Sequence, residues 1–172
     1  MAEPISLRDY QRGLSAQLAD LQTLRPASKL GIVTGERRWL VDLTDTGEVI
    51  PVPPIASVPL TRAWYAGVAN VRGNLYSVID FSAFLGGAPA VRSEASRLLL
   101  ISDKYRVGCA LLVDAVVGLR NPQLFVLATD SSDTSPWVAA HYTDRDKQQW
   151  ADLAVERLVQ HPDFLDIGAR SS

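Results

Sequence analysis

From Lys29 onward the chain is cut into short apolar runs by Gly, Pro and Asp at close, regular intervals. This punctuation leaves room for strands and little room for long helices. Residues 30–34 and 37–42 flank Gly35-Glu36, a short turn. Residues 48–50 make a third strand that runs into Pro51-Val52-Pro53-Pro54-Ile55. Proline donates no ladder hydrogen bond, so that stretch is predicted as an extended loop or a sheet edge. Residues 67–72 and 75–80 flank Gly73-Asn74, a two-residue hairpin turn. Residues 81–85 read as a helical turn stopped by Gly86-Gly87, and 97–102 with 105–113 as a second hairpin around Asp103-Lys104. The run ending at Val113 is almost wholly apolar, which predicts burial on both faces. Residues 115–120 continue it after a bend, 128–135 form a polar surface loop, and 148–155 a late strand. Residues 156–160 and 163–167 make a short helical tail interrupted by Pro162. Strands so spaced argue for a mainly β barrel or sandwich, with two similar halves.

The first 28 residues follow another period. Ser6 caps a helix, with Asp9 favouring its N-terminus. Leu7, Tyr10, Leu14, Leu18 and Leu21 then recur at helical spacing, while Arg8, Arg12, Gln17 and Asp20 occupy other faces. Arg25-Pro26 ends it, because the residue before proline resists helical dihedrals. Residues 6–24 are therefore predicted as an amphipathic helix. This divides the chain into a helix and linker, 1–28, and a β domain, 29–172. The helix packs on the β domain or docks on a partner, and the first is favoured.

A domain of this length buries roughly 70% of its unfolded surface, so it needs no metal or disulfide to fold. Seventeen basic against nineteen acidic residues give a net charge of −2, without the basic footprint that broad nucleic-acid binding requires. The four tryptophans are not interleaved with basic runs, which also disfavours a nucleic-acid or small-ligand barrel. Cys109 has no cysteine to pair with and reads as a small buried hydrophobe, consistent with a reducing compartment. Residues 1–6 show no signal-peptide pattern, and no stretch reaches the ~18 apolar residues of a membrane span, so a cytoplasmic protein without membrane insertion is predicted.

Catalytic and cofactor constellations are missing from the pattern. His141 and His161 stand twenty residues apart and share no metal-ligand spacing with Cys109. His161, before Pro162, reads as a surface or cap histidine. Asp144-Arg145-Asp146 reads as a solvated turn rather than a carboxylate pair. No phosphate loop or nucleophile elbow appears. The expectation is no enzyme, no cofactor and no metal.

One stretch carries a resemblance. Val58-Pro59, Trp64-Tyr65-Ala66-Gly67-Val68-Ala69-Asn70-Val71-Arg72-Gly73 and Val78-Ile79-Asp80-Phe81 together resemble the CheW family of chemotaxis coupling proteins. Val113-Asp114-Ala115-Val116 is similar to a further strand end of that family, and Glu48 to a Glu in its third strand. Ser77 and Ala63 depart from it, since prolines are usual there. The N-terminal helix and the tail His161-Pro162-Asp163-Phe164-Leu165-Asp166 resemble the adaptors of type IV pilus chemosensory systems. The resemblance implies two packed five-stranded β-barrel subdomains and a non-catalytic adaptor. It implies two partners: the regulatory domain of a CheA-type histidine kinase and the cytoplasmic tip of a methyl-accepting chemoreceptor. Such an adaptor reaches membrane-associated receptor arrays through its partners. A flagellar chemotaxis pathway is the alternative to a pilus pathway.

The candidate partner-binding residues are Glu48, Val52, Ile55, Asn70, Arg72 and Gly73. Arg72 either pairs with Glu48 or contacts the receptor, and its several donors allow both. Asn70 braces the turn or the arginine. Val52 and Ile55 either cover the core or face the kinase, with core cover favoured.

Overall fold

The computed structural model describes residues 28–169, so the helix predicted over residues 6–24 lies outside the described residues. Two antiparallel-rich sheets contain β1 (Lys29–Thr34), β2 (Arg37–Asp42), β3 (Thr46–Pro51), β4 (Ile55–Ala56), β5 (Tyr65–Val71), β6 (Asn74–Asp80), β7 (Arg97–Ile101), β8 (Cys109–Val113), β9 (Ala115–Arg120), β10 (Val126–Leu127), β11 (Val138–Thr143) and β12 (Gln149–Leu153). The first sheet runs β10-β11-β12-β2-β1-β9 and the second β3-β7-β8-β6-β5-β4. Each has five longer strands and one two-residue strand at an edge, β10 or β4, so the five strands expected per subdomain are joined by a short sixth. Three short α-helices, α1 (Phe81–Phe84), α2 (Val155–Gln160) and α3 (Pro162–Leu165), and two 3-10 turns, Asp103–Tyr105 and Pro122–Leu124, complete the elements among the described residues.

The two sheets are not consecutive halves of the chain. β3 to β8 are inserted between β2 and β9, so the first sheet closes only when the chain returns. Asp114 alone makes the return from β8 to β9, and its N–H donates to Val33 O at 3.0 Å.

The apolar run of β8 explains how the sheets stack. Successive strand residues point to opposite faces. Cys109, Leu111 and Val113 join a central core with Leu30, Ile32, Trp39 and Val41 of the first sheet. Ala110 and Leu112 join a second core inside the curl of the second sheet, with Ala69, Val71, Val78, Leu98 and Leu100. A strand between two dry layers has no polar face, and all five residues of β8 are buried. Helices α2 and α3 add Val155, Leu158, Val159 and Phe164 to the central core.

Several boundaries move from the sequence expectation. β8 starts at Cys109 rather than at 105, because Arg106 and Gly108 take left-handed φ values of 55° and 52° that end an extended run. β11 was not foreseen: its Ala139-Ala140-His141 lacks strong β formers. Val155 opens α2 instead of closing the late strand. Pro51 ends β3, which is a sheet edge, as the proline rule requires.

Candidate functional site

The hairpin β5–β6 presents the family-like string. Val71 pairs with Asn74, so the turn is Arg72-Gly73, one residue earlier than the sequence suggested. Both turn residues have positive φ, 52° and 87°, as two-residue hairpins with the matching twist demand. Asn70 Oδ1 accepts from the Gly73 N–H at 2.8 Å and locks the turn. Asn or Gly would suit the first turn position better than arginine. An arginine kept in that conformation points to a use for its head group.

That head group spans the mouth of the second sheet. Arg72 Nη1 donates to Glu48 Oε2 at 2.8 Å and Nη2 to Oε1 at 2.6 Å, a bidentate pair. In sheet order β7 and β8 stand between Glu48's strand and β6, so the pair clasps two sides of a curled sheet. The side chains are 73% and 41% exposed. Hydrogen bonding and charge from Glu48 raise the Arg72 pKa further, so the arginine stays cationic. The pair is a preformed, solvent-facing charge element whose donors are only partly used.

Val52 and Ile55 are half-buried and pack against the second core, and Ile55 pairs with Ala69 across β4–β5. Four of the six candidate residues thus gather at one end of the second sheet, and two line its side. Leu75, 69% exposed beside Asn70, also belongs to this end. Sequence reading passed over it because one apolar residue at an outward strand position is ordinary.

The rest of the string is structural. Gly67 has φ 135°, and a Cβ there would lie 2.1 Å from Ala56 O, so only glycine lets β4 approach β5. Asp80 is buried; its Oδ1 accepts from Ala83 N at 3.1 Å, capping α1, and Oδ2 from Ala90 N at 2.8 Å. Asp80→Ala strands both N–H groups and should cost about 2–3 kcal/mol in urea unfolding, and Asp80→Asn less. Ser77, where the family prefers proline, uses its extra donor: its N–H bonds Gly108 O at 2.9 Å, and its hydroxyl meets Tyr65 OH at 2.9 Å.

Cys109 is buried, and desolvation pushes its thiol up to about 12. His161 caps α3, Nδ1 accepting from Asp163 N at 3.2 Å. Asp144 organises its turn, accepting from Asp146 N, Gln148 N and Trp150 Nε1. Among the described residues no group of three or more His, Cys, Asp or Glu could hold a metal ion, and no helix is long and apolar enough to cross a membrane.

An open groove of about 700 Å³ lies between the subdomains, lined by Thr34, Gly35 and Arg37 of the first and by Ser82, Gly86 and Asp114 beyond it. Its lining comes from separate chain segments, so no local pattern could have announced it.

The described residues form a two-sheet β scaffold with a clasped, exposed charge pair at one end of the second sheet. The model of the CheW-like domain matches residues 30–163, and the chain belongs to the CheW family. It is 31% identical over 165 residues to protein PilI of Pseudomonas aeruginosa, covering 93% of this chain and 89% of that protein. With about 12 of 172 residues left outside, that match takes in part of the segment preceding the family domain. A probable chemotaxis protein CheW of Rhizobium etli is 32% identical over 82 residues, 48% of this chain and 52% of that one. The scaffolding protein TtCheW of Thermoanaerobacter tengcongensis shares the fold, with TM-score 0.65, 20% identity, and coverage of 80% of this chain and 95% of that one.

Proposed function

We propose that this chain is a non-catalytic adaptor that couples methyl-accepting chemoreceptors to a CheA-type histidine kinase in a type IV pilus chemosensory system. The observation that carries the reading is the likeness to protein PilI across 93% of the chain. The pilus-type tail and N-terminal segment support the same subfamily. The receptor tip contacts the Arg72 end of the second sheet, with Asn70 and Gly73 shaping the turn and Glu48 holding the arginine in place. Val52 and Ile55 serve the kinase side. Signal passes because the adaptor binds the kinase's two states unequally, which is the only way binding shifts an equilibrium. Recruitment to membrane-associated arrays comes through these partners.

Arg72→Ala is the test. The pair is solvent-facing, so the melting temperature should stay essentially unchanged. Receptor-tip affinity in a pull-down titration should fall about tenfold, with kinase binding less affected. Glu48→Ala should give a smaller loss, since the arginine remains but wanders. A folded Arg72→Ala protein that binds both partners as before would remove the site from the account.

A further inference from the structure

The tail string His161-Pro162-Asp163-Phe164-Leu165-Asp166 takes no part in the partner contacts above. It gathers instead around one small pocket. That pocket measures about 190 Å³ and is lined by Arg62, Trp64, Phe84, Trp137 and Asp163. One water needs only ~10–15 Å³ of such space, so a compact organic group has room. The lining comes from four parts of the chain: the approach to β5, the end of α1, the approach to β11, and α3.

Almost every tail residue serves this pocket. The His161 ring stands edge-on to Trp137, with centroids 5.2 Å apart. Phe164 lies parallel to Trp64 at 6.5 Å and edge-on to Phe84 at 5.4 Å. Phe84 in turn touches Trp64 at 5.2 Å and Trp137 at 5.1 Å. Three half-buried rings are thus fixed in the wall, braced by two more from the tail. Aromatic faces attract cations, tryptophan most strongly.

The charges of the wall agree with that preference. Arg62 is neutralised by Asp166, whose Oδ2 accepts from Nη2 at 2.5 Å and whose backbone oxygen accepts from Nε at 3.2 Å. Asp163 is different. Its side chain is 79% exposed, and His161 Nδ1, 3.7 Å away, already accepts from the Asp163 N–H at 3.2 Å. One negative charge in the wall is therefore left uncancelled. Trp137 Nε1 is buried without a hydrogen-bond partner. An unmet donor costs about 1–3 kcal/mol, so the ring's face rather than its polar edge is what this position supplies. The Asp163 carboxylate is the one anionic acceptor in the lining. A bare ammonium is strongly hydrated and would lose most of its hydrogen bonds on entry. Methyl groups in place of its N–H donors remove that cost and keep the charge.

We propose that this pocket binds a small methylated ammonium cation, free in solution. Trp64, Phe84 and Trp137 supply the ring faces, and Asp163 supplies the counter-charge. The site is separate from the Arg72 end of the second sheet and goes beyond the adaptor reading.

Tetramethylammonium added to the full chain is the test, read from the line width of its methyl proton resonance. Saturable broadening with a Kd of about 1–10 mM is expected, since the ligand is tiny. tert-Butyl alcohol has the same number of non-hydrogen atoms and no charge, and should bind at least about tenfold more weakly. Asp163→Asn should leave the melting temperature unchanged and weaken the cation about two- to fivefold. Trp137→Leu should abolish broadening; if that variant does not fold, Asp163→Asn and the alcohol decide. Absence of broadening, equal binding of the alcohol, or undiminished binding by Asp163→Asn each overturns the proposal. Choline binding at least as tightly as a trimethyllysine peptide supports a ligand free in solution. A tenfold preference for the peptide overturns that source.

Discussion

Trp39→Ala should lower the unfolding free energy by about 3–5 kcal/mol, read from the midpoint and slope of a urea titration. Trp39 is fully buried and sits in the central core between the two sheets, its ring 5.2 Å from Phe81. Trp39 comes from the first sheet, while Phe81 opens α1 beyond the second. Truncation removes apolar area and leaves a cavity where neither sheet can collapse without moving the other. Leu60→Ala is the contrast. Leu60 is 86% exposed, so its loss should stay within about 0.5 kcal/mol. Similar midpoints for the two variants would mean that the central core is not what joins the subdomains.

Gly67→Ala should be the most damaging single-methyl change, at about 2–4 kcal/mol. Two costs add: a φ of 135° that side chains avoid, and a Cβ 2.1 Å from the backbone oxygen of Ala56. Because the obstacle is backbone, β4 must retreat from β5. Hydrogen exchange at residues 55–56 and 68–69 should then quicken along with the stability loss. Gly73→Ala separates the two costs. It shares a positive φ of 87°, yet nothing lies within 4 Å of the added Cβ. It should therefore cost about 1–2 kcal/mol, the strain alone. Equal losses at the two glycines would show that the β4 contact is not the constraint.

These two cases mark how far the sequence was legible. The β8 run told its own burial, since an apolar stretch bounded by turn residues leaves a strand no polar face to turn to water. The Asn-x-Arg-Gly string told the hairpin, and the turn slipped by one because Asn70's side chain, not the Gly73-Asn74 pair, sets it. Partner strands across long separations were not legible: β2 pairs in parallel with β12, and β1 antiparallel with β9, through contacts no local period encodes. The insertion of one sheet into the other followed from those pairings and stayed hidden with them. Glu48 and Arg72 were singled out as a possible pair, but their exposure depends on the curl of the sheet. Cys109 and His161 behave as their surroundings in sequence suggested, one buried by its apolar run and one capping before a proline.

We propose that this chain joins two partners and transforms neither. The most direct measurement is co-purification of the full chain, tagged, with the regulatory domain of a CheA-type kinase and the cytoplasmic tip of a methyl-accepting receptor from the same genome. The account predicts that each partner is retained alone and that both are retained together in one complex, with receptor retention weakened by Arg72→Ala. A folded chain that retains neither partner at roughly tens of micromolar would contradict it.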